Sequence, residues 1–296
     1  MRAKAIRSIL FATLLFGLMN VCIKFVSDIP SYEIVFFRSI ISFIITSVIF
    51  IEAKVNPFES EYKFFLFIRG VAGSTALLLF FYTLQNLPLA TAVTIQYLAP
   101  IFTVIFAAYI THEKMMLPQW FFFLLSLIGI IFIKGFDHRV SVEMLILGVL
   151  AAMCSGVSYN AVRKVKGENS ALIVVFYLPL TTLPIITPYT MLHWVQPHGM
   201  DWFYLILVGL LTQFAQYYMT RAYQLEKASN IANYTYLGIL IALGFGYFLF
   251  DEHYGAVAIC GMFLVISGVL LNYFYVMRVT SLKRFRAYVR NMFYFN

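Results

Sequence analysis

The sequence predicts an all-α integral membrane protein with ten transmembrane helices, arranged as two inverted five-helix repeats. Three observations lead there. Hydrophobic residues make up 62% of the 296-residue chain and charged residues 11%, with a mean hydropathy of +0.85. Soluble domains average about a quarter charged residues, so the environment that suits this chain is lipid. Apolar runs of the ~20 residues that cross ~30 Å of hydrocarbon can be placed ten times. The chain also matches itself at a shift of 139 residues, which contains five of those runs.

The expected spans are 6–27, 31–51, 64–86, 90–110, 117–134, 143–162, 171–192, 203–224, 230–250 and 254–277. Turn-forming residues separate them, as at Asp28-Ile29-Pro30-Ser31, Asn56-Pro57, Leu87-Pro88 and Pro197 to Asp201. The connections are short, so neighbouring helices must be antiparallel and no loop can form a globular domain. The first run lacks a small-residue cleavage site and is expected to be retained. The 31 Phe and 20 Tyr suit lipid-facing and interfacial positions. Cys22, Cys154 and Cys260 lie inside apolar runs, too far apart for a disulfide or metal framework. No metal and no cofactor is expected.

Charge orients the bundle. With the N-terminus inside, the inner segments hold 16 of the 21 Lys and Arg, from Arg2, Lys4 and Arg7 to Arg278, Lys283, Arg284, Arg286 and Arg290. The outer side holds Lys24, Lys134 and Arg139, and Arg38 and Arg69 fall within spans. The positive-inside rule then puts both termini in the cytoplasm, with the chain in the plasma (inner) membrane. A net charge of +8 spread in this way is a topology signal, so nucleic acid is not an expected partner. The basic, aromatic tail reads as a stop signal lying on anionic lipid. The expected units are 1–137, 138–277 and a cytoplasmic tail, 278–296.

At the 139-residue shift Gly17 meets Gly156, Gly70 meets Gly209 and Gly129 meets Gly268. Tyr97-Leu98 meets Tyr236-Leu237, Glu113 meets Glu252 and Lys24 meets Arg163. Five is odd, so the second half crosses the membrane upside down. Inverted repeats give a fold two near-equivalent packings with a substrate held near the midplane, and transport is the expected function. Duplication as a mere route to a larger bundle is the plainer alternative. A lipid-modifying enzyme would need paired acids or clustered histidines, whereas the five His are scattered near loops. A receptor or structural protein has no evident use for an odd inverted repeat. No catalytic residue is expected.

The chain resembles the EamA branch of the drug/metabolite transporter superfamily. In the first half the residues that carry this are Lys24, Pro30-x-x-Glu33-Ile34-Val35-Phe36-Phe37-Arg38, Arg69-Gly70, Leu87-Pro88-Leu89-Ala90, Pro100 and Glu113. In the second they are Arg163, Phe176-Tyr177, Ala222-Tyr223, Tyr234-Thr235-Tyr236 and Phe250-Asp251-Glu252. Asn233 stands where relatives often carry Pro, and Asp251 where Gly often precedes the Glu. The resemblance implies secondary transport with neither an ATP site nor catalytic chemistry, and the sequence has no Walker-type glycine loop.

Polar residues inside spans are costly and each needs a reason. Arg38 lies about 10 Å into the second span; with Lys24 and Glu33 it forms a candidate outer gate or an anchor for a carboxylate or phosphate, or else an ion pair stapling the first two helices. Gln213, Gln216, Tyr217 and Thr220 recur at helical spacing and line a cavity or bond neighbouring helices. Thr94 with Tyr97, and Asn233 with Tyr236, are candidate central contacts from equivalent spans, the alternative for a tyrosine being an interfacial belt. Asn20 and Asn160 line the cavity or bond across helices. Glu113 and Glu252 end their spans and are expected to cap loops, with proton coupling the lesser reading. The expected substrates are amino acids, organic acids or nucleoside-like compounds, with a slight tilt toward an anionic group. A proton or a counter-substrate is the candidate coupling partner, and the chain is expected as monomer or homodimer. Leu172 and Tyr177 replace Glu33 and Arg38 in the second half, so substrate is expected to bind asymmetrically.

Overall fold

The computed structural model describes residues 2–54, 56–110, 116–136, 140–165, 170–225 and 235–293, and every regular element among them is an α-helix. In chain order these are α1 (Arg2–Phe25), α2 (Ser31–Ala53), α3 (Lys63–Asn86), α4 (Leu89–Gln96), α5 (Ala99–Ile110) and α6 (Leu117–Phe136). They continue with α7 (Val142–Lys164), α8 (Ser170–Leu192), α9 (Asp201–Leu225), α10 (Leu237–Phe250) and α11 (Ala256–Phe293). Six of them contain stretches long and apolar enough to cross a membrane, among them Ser31–Ala53, Lys63–Asn86 and Ala256–Tyr275. Leu117–Ile133 and Leu237–Phe250 are shorter apolar helices.

Two elements differ from the expected spans. The fourth span is not one helix. Pro100 has no N–H to return to the carbonyl of Gln96, and the chain tightens just before it. Tyr97 N–H reaches back to both Val93 O (3.2 Å) and Thr94 O (3.1 Å), and Leu98 N–H to Ile95 O (3.0 Å). The break therefore falls in mid-span, between α4 and α5. α11, at the tenth expected span, continues past residue 277 and runs on as helix to Phe293.

Under the 139-residue shift α1 corresponds to α7, α2 to α8, α3 to α9, α4 and α5 to the region of α10, and α6 to α11. The packing obeys that exchange. α1 lies on α9 as α3 lies on α7, while α2 packs on α8, α4 on α10 and α6 on α11, each on its own counterpart. Individual contacts repeat it. A Cβ on Gly17 would meet Ile241, and one on the equivalent Gly156 would meet Phe102, the equivalent of Ile241. At the α6–α11 contact Gly129 faces Gly261 and Val265, and Gly268 faces Phe122 and Ser126, the same pairs exchanged. Ser126 Oγ donates to Val265 O across this contact, over a separation of 139 residues. Without water to drive association, helices in lipid cohere by such close approach.

A Cβ at Gly129 would stand 2.6 Å from Gly261 O and 2.8 Å from Val265 N, backbone atoms that cannot rotate away. Gly129→Ala should therefore cost about 1–3 kcal/mol, as should Gly268→Ala, whose Cβ would meet Phe122 O at 2.6 Å. Gly244 has open space around it, and Gly244→Ala should be neutral or gain up to ~1 kcal/mol in helix propensity. Thermal unfolding in detergent checks the contrast; equal transitions for Gly129→Ala and Gly244→Ala would contradict the close contact.

Candidate functional site

Between the halves lies a small cavity of about 80 Å³, partly open to the surroundings. Its polar lining is Arg38, Arg69, Gln96, Ser155, Ser158, Tyr159 and Gln216. Arg38 is seven residues into α2 and Arg69 six residues into α3, about 10 and 9 Å from opposite ends of two antiparallel helices. Their long side chains bring both guanidinium groups to the same space. Gln96 closes α4, so the break in the fourth span exposes a helix C-terminus to this cavity. Leu77, Phe80 and Leu178 make the apolar wall.

Ser158 holds Arg69 in place from both sides. Arg69 Nη1 donates to Ser158 Oγ (2.7 Å), while Ser158 Oγ donates to the carbonyl of Arg69 (3.0 Å). Gln96 Nε2 donates to Ser155 Oγ (2.9 Å), which leaves Gln96 Oε1 buried without a partner. Arg38 is 4% exposed. The Nε of Arg38 and of Arg69 are both unpartnered, and among the described residues no carboxylate pairs with either.

A second polar cluster closes one end of the bundle. Lys24, in the last turn of α1, pairs with Glu252 and donates to Leu87 O (3.0 Å). The other oxygen of Glu252 accepts from Leu89 N–H (2.8 Å) and from Tyr254 OH, and Tyr254 OH accepts from Ala90 N–H (3.2 Å). Leu89 and Ala90 open α4, so this carboxylate sits at the favourable end of a helix dipole. Asp251, with φ of 50°, makes the left-handed turn that brings Glu252 back against Gly246. Nearby Gln85 Nε2 donates to Val26 O and Ile29 O, at 3.2 and 2.8 Å. Lys24 and Glu252 thus join the ends of α1, α3, α4 and α10.

Of the residues singled out from sequence, the structure gathers Arg38 and Gln216 at the cavity. It does not bring Lys24, Glu33 and Arg38 together. Five helical residues turn the chain through ~140°, so Glu33 points away from Arg38, and its Oε2 accepts from Val195 N–H (3.1 Å). Gln213 bonds α9 to α2, accepting from Ser42 Oγ (2.6 Å), and Tyr217 is exposed against Tyr218. Thr94 Oγ1 returns to Ala90 O (2.7 Å) within its own helix. Tyr97 and Tyr236 pack on each other, ring centroids 5.1 Å apart, with Tyr97 OH donating to Thr235 O. Asn160 Nδ2 bonds across helices to Thr103 O (2.8 Å), and Asn20 is buried with Oδ1 unpartnered. Asn233 and Glu113, with Asn230 and Tyr234, lie outside the described residues. Arg69, Ser155 and Ser158 were not singled out as site residues; the position of Arg69 within an apolar span is the same signal that marks Arg38. Among the described residues no group of three His, Cys, Asp or Glu is placed to hold a metal.

This arrangement has relatives. The sequence matches the EamA-like transporter family twice, over residues 3–135 and 143–274. It is 26% identical over 262 residues to the pseudopaline exporter CntI of Pseudomonas aeruginosa, covering 88% of this chain and 92% of that one. It is 31% identical over 255 residues to solute carrier family 35 member G1 of Mus musculus, covering 80% and 69%. Against the S-adenosylmethionine uptake transporter of Rickettsia prowazekii the figures are 26% over 247 residues, covering 81% and 82%. A solved crystal structure shares the fold with a TM-score of 0.63 and 17% identity, over 94% of this chain and 99% of that one. The chain therefore belongs to the EamA-like transporter family, and it is a membrane transporter of small metabolites.

Proposed function

We propose that the chain is a secondary transporter that works by alternating access, holding its substrate in the cavity that contains Arg38, Arg69 and Gln216 and moving it by export or exchange. The observation that carries this reading is a polar cavity near mid-span, built from both halves, with one bundle end closed by Lys24 and Glu252. Rocking of the halves would open that end by separating α1 and α4 from the turn that follows α10. On the sequence orientation this is the outer end, with both termini in the cytoplasm and the chain in the plasma membrane. Relatives named as an exporter and as an uptake transporter leave the direction to this chain's own chemistry.

Proteoliposomes loaded with a defined mixture of amino acids, organic acids and nucleosides test the reading directly. Selective loss of one class relative to protein-free vesicles is expected, and Leu77→Trp, which fills the cavity, should abolish it. Loss that persists unchanged in Leu77→Trp would remove the cavity from the pathway. Orientation is checked with C-terminal fusions: green fluorescent protein should fluoresce and alkaline phosphatase should be inactive, the reverse pattern placing the tail outside. Breaking one side of a buried ion pair costs roughly 3–5 kcal/mol. Glu252→Gln and Lys24→Met should each lower the thermal transition, and the double variant should lose less than the two losses combined; strict additivity would show that the pair contributes no coupling.

A further inference from the structure

We infer that the cavity binds a small organic oxyanion, a carboxylate or phosphate that also carries a hydrogen-bond donor. The inference rests on the transport reading above and names its substrate class. Two arginines supply ten N–H donors, of which the structure assigns one, from Arg69 Nη1 to Ser158 Oγ. Arg38 is 96% buried, lines the cavity and has its Nε unpartnered. Arg69 shares the cavity, and no described carboxylate neutralises either. An uncompensated charge within a span is expensive, and two of like sign facing one space are more so.

A part-buried cation on the same helix bundle shows what compensation looks like here. Lys24 has Glu252, a backbone carbonyl and the ring of Phe250 5.2 Å away. Among the described residues the arginines have nothing comparable, so the ligand supplies their counter-charge. Planar guanidinium groups match carboxylate and phosphate oxygens two at a time, and Ser158 fixes one of them in position beforehand. Gln96 Oε1, unpartnered in the same lining, asks for an N–H or O–H on the ligand. Leu77, Phe80 and Leu178 accept its carbon skeleton.

The test is a cysteine reporter, Leu77→Cys, in the full chain with Cys22, Cys154 and Cys260 changed to Ser. Its modification by anionic sulfonatoethyl and cationic trimethylammonioethyl methanethiosulfonate is compared with that of a free thiol. The anionic reagent should be favoured at least about tenfold, the order expected for charges acting through a partly screened medium. Arg38→Gln with Arg69→Gln should abolish the preference, and Arg38→Lys with Arg69→Lys, which keeps the charge, should retain it. Reaction with both reagents and no preference overturns the anion assignment and leaves the cavity reading standing. Reaction with neither overturns the cavity reading itself. Added succinate slowing the anionic reagent more than inorganic phosphate, against equal ionic strength of chloride, assigns a carboxylate; the reverse assigns a phosphate. Slowing by neither overturns the proposal.

Discussion

Everything in this molecule is governed by the absence of water from the span. Backbone groups must be satisfied within helices, and any charge carried into the hydrocarbon must meet another charge or keep access to a polar space. The chain obeys this in two ways. Lys24 and Glu252 neutralise each other and knit four helix ends together. Arg38 and Arg69 are left facing a cavity instead. The first arrangement closes a structure, while the second leaves it in need of a ligand.

Duplication supplies the frame of the cavity but not its chemistry. The two halves share a frame so closely that Gly17 and Gly156, or Gly129 and Gly268, meet equivalent neighbours. The side chains that make the site do not follow that symmetry. At the positions equivalent to Arg69 and Ser158 stand Val208 and Met19, both buried, with Thr212 Oγ1 donating to Met19 Sδ at 2.9 Å. Tyr177 replaces Arg38. The same helix crossing that holds a guanidinium in one half is filled in the other by Val208 and by the Met19 thioether that Thr212 contacts. Symmetry supplies the hinge-like frame, and its local violation supplies the chemistry.

The frame was legible because it is periodic. Span length, charge asymmetry and the 139-residue register are each written along the chain, and the register returns in contacts such as Ser126 with Val265. Arg38 was legible because a charge inside an apolar run is conspicuous, and Arg69 carries the same mark. Pairings between distant segments were not. Nothing near Lys24 in sequence points to Glu252, 228 residues away, and proximity along the second span suggested Glu33 with Arg38 although the helix turns them apart. The stripe on α9 shows the same limit. Spacing places Gln213, Gln216 and Tyr217 near one another, but which neighbour each meets depends on α2, on the cavity and on the outer surface. Only packing decides that.

The break in the fourth span places a helix terminus beside the cavity. α4 ends at Gln96, in the lining, because Pro100 cannot continue its hydrogen-bond ladder. A helix C-terminus carries a partial negative charge that favours a nearby cation by roughly 0.3–1 kcal/mol. Its opposite end, at Leu89, receives the carboxylate of Glu252. One short helix therefore spans the distance between the closed latch and the arginines, with an anion at its positive end and cations about its negative end. The dipole offsets a fraction of the guanidinium charge, far less than a bound oxyanion would supply. A shift of α4 when the latch opens would weaken both ends together. The same movement that frees Glu252 from Leu89 would withdraw the helix terminus from the arginines, coupling the closure of one end to the electrostatics of the cavity.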